Sequence, residues 1–182
     1  MNAIDSKTNY VLAHLFVGKR TKKKCYEFLK QIKDSCYNQI IERYNKEKNK
    51  KVEDRNLIRF VCDGFENYKS AFNKLFYRIA KLSFGVSIAC KKHGRKHNNN
   101  PAERYNGDLK DRLKILRGGF RSFKGARYFM DLRRTIHNFV NPQKGIDGKT
   151  PAEMAEINLK LGRNKLLDLI KYWSRRFRRI SR

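Results

Sequence analysis

Asp63 and Glu103 are the two carboxylates whose settings point to chemistry. Asp63 closes an apolar run, Leu57-Ile58-Arg59-Phe60-Val61-Cys62, and is followed by Gly64. The carboxyl end of a strand is where α/β folds gather ligands, and Asp-Gly after a strand is equally ordinary turn chemistry. Glu103 ends the segment Asn100-Pro101-Ala102-Glu103, a helix-start pattern in which the Glu caps backbone and complements the helix dipole. Lys110 follows seven residues later. Seven steps of ~100° return to within about 20° of the starting direction, so Glu103 and Lys110 share a helix face. A carboxylate and an ammonium on one face suit a metal beside a phosphate; they also suit a solvated surface. Cys90, His93 and His97, spaced Cys-x2-His-x3-His, offer three zinc ligands. No fourth ligand is evident, and structural zinc closes with four. The sequence has no Gly-rich phosphate loop, nucleophile elbow or HExxH motif.

The elements that must hold these residues follow from periodicity. Ala3-Ile4, a turn at Asp5 to Asn9 and Tyr10 to Val17 read as a β-hairpin with a very short first strand. From Thr21 the period becomes helical, with Cys25, Phe28, Leu29, Ile32, Cys36, Ile40 and Tyr44 on one stripe. Residues 45–56 are charged and read as a loop. Leu57 to Cys62 is a strand, and Phe65, Tyr68, Phe72, Leu75, Phe76 and Ile79 mark a helix. Ser83 to Cys90 is expected to be a strand, followed by a basic loop. Helices are expected from Asn100 to Leu116, from Ser122 to His137, from Thr150-Pro151, and across Leu166 to Ile180. The expected fold is α/β, a mixed sheet flanked by helices.

Charge narrows the partner. The 182 residues hold 44 Lys and Arg against 17 Asp and Glu, a net +27. That surplus repels itself unless a polyanion is bound, and nucleic acid is the leading expectation. A hydrophobic content of 40% with 12% aromatics supports a folded core. No apolar run reaches the ~18 residues of a membrane span. The run from Tyr10 to Val17 contains His14 and ends in Gly18-Lys19-Arg20, unlike a signal peptide. The four cysteines are scattered and form no CxxC pair, so reduced thiols and a cytoplasmic setting are expected. From Tyr172 to Arg182 there are five arginines and no acid. Arg175, Arg176 and Arg179, beside Tyr172 and Trp173, are candidates for phosphate contacts and stacking.

The segment Val61-Cys62-Asp63-Gly64-Phe65-Glu66-Asn67-Tyr68-Lys69-Ser70-Ala71 resembles the "VTDG…Y..A" stretch of DDE-type insertion-sequence transposases. Asn99-Asn100-Pro101-Ala102-Glu103-Arg104-Tyr105-Asn106-Gly107 is similar to their "NN..ER.NG" stretch. Leu109-Lys110-Asp111-Arg112 and Leu116-Arg117-Gly118 resemble "LKDR…MRG". Asn138-Phe139-Val140-Asn141-Pro142 and Gly148-Lys149-Thr150-Pro151-Ala152-Glu153-Met154-Ala155 resemble "YNF.RPH…GKTPAEMA". Together they cover nearly the whole chain in order.

The resemblance implies a ribonuclease-H-like integrase catalytic core over residues 1–141, with helices on both faces, and a basic C-terminal helical tail over 142–182. It implies DNA transposition and recombination through two Asp and one Glu that bind two Mg²⁺ or Mn²⁺ ions. Asp63 falls on the second acid and Glu103 on the third, both catalytic and metal-binding. Lys110, Arg112 and Arg117 join the C-terminal arginines as DNA-binding positions. The partners implied are element ends and target DNA and further copies of the chain, at the prokaryotic nucleoid, with no membrane. The family's first Asp lies before the segment that Met1-Asn2-Ala3-Ile4-Asp5 resembles, and Asp5 matches a turn acid. The expectation is therefore a truncated copy, weakly active or inactive, whose two-metal site is complete only if the first Asp is supplied upstream. Asn141 and Gln143 depart from the family's Arg and His. The alternative is a non-catalytic basic nucleic-acid-binding protein of ribosome-associated type.

Overall fold

The computed structural model describes residues 1–84, 100–115 and 119–180, with only the backbone described for Asn100 and 176–180. It is a mixed α/β protein, rich in helix, with two small sheets among the described residues. The chain divides into two compact units, one formed by Met1–Ala3 with Leu12–Lys114, the other by Ile4–Val11 with Ile115–Arg182.

The first unit is built around two helices. α1 (Lys22–Glu47) starts at Thr21, whose hydroxyl accepts the Lys24 N–H at 3.3 Å. Its buried stripe is Cys25, Phe28, Leu29, Ile32 and Ile40, the spacing of an amphipathic face. Cys36 breaks the stripe: its backbone leaves the helical region (φ −138°, ψ 22°), and its thiol donates to the Ile32 carbonyl at 3.0 Å. A side chain bonded into the backbone ladder is a recognised source of such a kink. β3 (Arg59–Cys62), α2 (Asn67–Phe76) and β4 (Lys81–Phe84) form a parallel βαβ unit, with Arg59 opposite Lys81 and Cys62 opposite Phe84. α1 lies on α2. Phe60, Phe72 and Phe76 join them in one aromatic cluster, with ring centroids 4.9–5.3 Å apart. α3 (Asn100–Lys114) buries Tyr105 and Leu109.

In the second unit α4 (Phe123–Phe139) begins at Ser122, whose hydroxyl accepts the Gly125 N–H at 3.0 Å. It packs against α5 (Pro151–Met154) and α6 (Lys165–Ile180). The start of α5 carries a full capping box: Thr150 Oγ1 accepts the Glu153 N–H, and Glu153 Oε2 accepts the Thr150 N–H at 2.8 Å. α4, grouped by sequence with residues 1–141, lies in this second unit.

Several expectations need correction. The strand expected over Ser83 to Cys90 begins earlier, at Lys81, and its described part ends at Phe84; residues 85–90 lie outside the described residues. The charged segment after Asn45 is not all loop, because α1 runs on to Glu47 and Val52–Asp54 is a turn of 3₁₀ helix. Glu47 supplies the reason. Its carboxylate accepts the Asn56 N–H at 3.0 Å and pairs with Lys50 at 3.0 Å, so the end of the helix is tied down.

A single sheet is also not what the described residues form. β1 (Asn2–Ile4) and β2 (Val11–His14) make one sheet, and β3 and β4 make another. At Val11 the backbone edge of β2 is taken by a side chain. The Asn138 amide accepts the Val11 N–H at 2.9 Å and donates to the Val11 carbonyl at 3.1 Å. Both groups that a further strand would bond there are already satisfied.

Candidate functional site

Asp63 stands where β3 gives way to the turn into α2. Its carboxylate is asymmetric. Oδ2 accepts a hydrogen bond from Arg20 Nη1 at 2.7 Å, while Oδ1 is shielded from solvent and has no hydrogen-bond donor among the described residues. Arg20 comes from the loop between β2 and α1. Its guanidinium lies over the Phe65 ring, 4.4 Å from the centroid, and its carbonyl accepts from Asn67 Nδ2 at 3.3 Å. The β-strand end, the α2 entry and the α1 entry therefore converge on one carboxylate.

The side chain of Asp63 is half exposed, but several of its neighbours are buried. Burial first, and the Asp63 charge second, pushes the Cys62 thiol up to about 12. Burial, then Cys25 and then Asp63, raises the Tyr68 hydroxyl to about 12 as well. The Cys25 thiol is raised chiefly by burial, with Arg20 pulling the other way. Arg20 itself is held more firmly protonated, first by its hydrogen bond to Asp63. Cys25, Cys62 and Tyr68 are thus neutral at physiological pH, and Arg20 is the cation that balances Asp63.

Glu103 lies in the first turn of α3 and is exposed. The helix already includes Asn100, one residue earlier than the cap pattern placed its start. Lys110 and Arg112 are exposed further along the same helix. Asn106 lies three residues after Glu103 and four before Lys110, so the three share a face. Asn106 Oδ1 accepts from Asn2 Nδ2 at 2.6 Å, and Asn2 Oδ1 meets His14 Nδ1 at 2.7 Å. The face carrying Glu103 and Lys110 is thereby tied to the β1–β2 hairpin. Asp5, in the turn of that hairpin, uses Oδ2 to accept from the Thr8 N–H at 2.9 Å and the Thr8 hydroxyl at 2.6 Å.

Among the described residues no three His, Cys, Asp or Glu side chains come together as a metal-binding group. No family model, curated protein or solved structure matches the chain. The site must therefore be read from its own chemistry. Two carboxylates are hard oxygen donors that suit Mg²⁺ or Mn²⁺ rather than a soft metal. The sequestered Oδ1 of Asp63 is an acceptor that a hard cation would satisfy.

The remaining sequence candidates distribute as follows. Arg117 and the trio Cys90, His93 and His97 lie outside the described residues. Arg176 and Arg179 are placed only by their backbone on α6. Arg175 lines a cleft of about 730 Å³ in the second unit with Lys160, Lys171, Tyr172, Asp168, Leu159 and Leu161. Asp168 in that cleft accepts the Gly162 N–H at 2.9 Å and lies 4.0 Å from Lys171. Its charge is spent on holding the loop, which leaves the cleft cationic.

Sequence reasoning missed Arg20, one of three cations within Lys19-Arg20…Lys22, where no spacing sets it apart. It also missed the structural role of Asn138. Gln143, flagged as a departure from the family, accepts from Asn9 Nδ2 at 3.0 Å and approaches His137 Nε2 at 3.3 Å. That side chain ties its loop to the β1–β2 turn and to the last turn of α4.

Proposed function

We propose that the chain is a DNA-processing core of the DDE transposase type, with a ribonuclease-H-like arrangement in which Asp63 and Glu103 bind divalent metal and the basic surface binds DNA. The observation that carries this reading is Asp63 itself: a carboxylate at the carboxyl end of a parallel strand, with one oxygen sequestered and unbonded. The motif segments around Asp63 and Glu103 support the same assignment. Bound Mg²⁺ or Mn²⁺ would supply Lewis-acid activation of water or a DNA 3′-hydroxyl and charge stabilisation at phosphorus. Asp63, at the end of β3, and Glu103, on α3, are the residues that would hold the cations. Lys110, on Glu103's face, presents an ammonium to a DNA phosphate, and Arg112 and Arg175 add phosphate contacts that position the duplex without reading its sequence.

The Asp63 environment contributes in its own right. The side chain is half exposed overall, but its Oδ1 is shut off from solvent, so a cation held at that oxygen is screened less than one on the open side. A second reading, a non-catalytic basic nucleic-acid-binding protein, is favoured by the net charge of +27 alone. Further copies of the chain on DNA and a nucleoid setting belong to the first reading; no helix among the described residues is long and apolar enough to cross a membrane.

Thermal melting with and without Mn²⁺ separates the two readings. The metal-binding reading expects melting to rise with Mn²⁺, and that rise to vanish in both Asp63→Asn and Glu103→Gln. Equal melting in metal and chelator, with DNA binding intact, would leave the simple binder. Metal-dependent nicking of supercoiled DNA, lost in Asp63→Asn, would extend the first reading to catalysis.

A further inference from the structure

We propose that Arg20 is a built-in counter-ion that occupies the cation position at Asp63 and yields it when a divalent metal binds. This rests on the metal-binding reading of Asp63, but it concerns a residue which that reading does not use. Four observations bear on it. The guanidinium donates to Oδ2 at 2.7 Å. It lies over Phe65, with its central carbon 4.4 Å from the ring centroid. Its backbone is anchored by Asn67 at 3.3 Å. Oδ1 of the same carboxylate has no donor among the described residues.

A carboxylate has room for about four acceptor interactions. Among the described residues Asp63 has one hydrogen bond, from Arg20 to Oδ2, while the shielded Oδ1 has none. The neighbouring Cys25, Cys62 and Tyr68 carry no positive charge in any protonation state and cannot replace Arg20 as counter-ion. Without Arg20, Asp63 would be a bare anion beside the aromatic core. With a divalent ion bound, Arg20 would face a like charge at hydrogen-bond range, which drives it away.

The pair is built to release. Its side chains are 44% and 48% exposed, and an ion pair that open to solvent is weak. The Phe65 face lets the guanidinium slide off the carboxylate without losing its aromatic support. The apparent metal affinity is the intrinsic affinity multiplied by the fraction of molecules in which Arg20 is disengaged. Arg20 is a positioning residue: it keeps Asp63 ordered and neutralised until the metal arrives.

The test is a Mn²⁺ titration of the 182-residue chain, followed by the loss of the free Mn²⁺ electron-spin-resonance signal, in wild type, Arg20→Met, Arg20→Lys and Asp63→Asn. Arg20→Met is expected to bind Mn²⁺ about two- to fivefold more tightly than wild type, the range that a half-exposed pair sets. Its metal-free form should melt lower, and its gain in melting temperature with Mn²⁺ should be larger. Arg20→Lys keeps a charge but loses the planar fork and ring stacking, so it should fall between the two. It also carries the test if Arg20→Met does not fold. Mn²⁺ binding that depends on Asp63 but is unchanged or weakened in both Arg20 variants overturns the inference and leaves the metal site standing. Mn²⁺ binding that ignores Asp63→Asn overturns both.

Discussion

Asn138 shows how a single side chain substitutes for secondary structure. It is 1% exposed, and its amide bonds both the N–H and the carbonyl of Val11. Truncation to Ala strands two buried backbone groups, each of which costs roughly 1–3 kcal/mol when unsatisfied. Asn138→Ala should therefore lower stability by about 2–4 kcal/mol in urea unfolding, whereas Asn141→Ala, with a half-buried side chain nearby, should change it far less. Equal effects would mean that the Val11 edge finds water instead. Glu153 makes a second residue-scale prediction. Its bond to Lys165 at 2.6 Å, and then its bonds to Thr150, hold its carboxyl down at about 2. A carboxylate depressed in the folded state stabilises above its unfolded value near 4.5, and that stability is lost as pH falls towards 2. The side chain is 46% exposed, so solvent screening keeps the effect modest, on the order of 1 kcal/mol. Melting followed from pH 6 to 2.5 should show Glu153→Gln starting less stable than wild type and converging with it at the acid end.

At the scale of elements, the helices were the readily legible part. The apolar stripes at 22–47, 67–76, 123–139 and 165–180 each correspond to a helix, because a 3.6-residue period is a local signal that packing only confirms. Thr150-Pro151-Ala152-Glu153 was legible as a helix start for the same reason: both partners of its capping box lie within four residues. Sheet organisation was not legible. Whether the β1–β2 hairpin and the β3–β4 pair share hydrogen bonds depends on what meets an edge over 100 residues away, and at Val11 that is a side chain. Asp63 was legible as a strand-end acid, but Arg20, its partner 43 positions earlier, was not, since nothing local distinguishes it from its basic neighbours. The α1–α2 contact yields an element-scale prediction. Phe76 is fully buried and stacks with both Phe60 and Phe72, so Phe76→Ala should cost about 3–5 kcal/mol. Tyr77, the next residue and 63% exposed, is the control, and Tyr77→Ala should stay within about 0.5 kcal/mol.

For the molecule as a whole, the decisive quantity is a net charge of +27 on 182 residues. At most 17 of the 44 Lys and Arg can be matched by an Asp or Glu of the chain. The ion pairs among the described residues are mostly surface pairs such as Lys114–Asp111 and Arg127–Asp131, and exposed pairs of this kind contribute little. The charge must find its counter-ions outside the chain. If DNA binding displaces cations from about six to ten phosphates, log affinity should fall with log salt at a slope of roughly −5 to −9, a loss of about 10³–10⁵ between 50 and 200 mM. Site-directed changes then separate what binds from what reacts. Neutralising Lys160, Lys171 and Arg175 together, the cations of the second-unit cleft, should flatten the slope by about three units if each meets a phosphate. Neutralising Asp63 leaves Arg20 without its counter-ion, so it should steepen the slope by at most about one unit, and only where Arg20 meets a phosphate. Fluorescence-anisotropy titrations at four salt concentrations measure both. A slope that moves with Asp63→Asn and not with the triple variant would shift the DNA surface from the cleft to the mouth of β3, where Arg20 and Asp63 face one another.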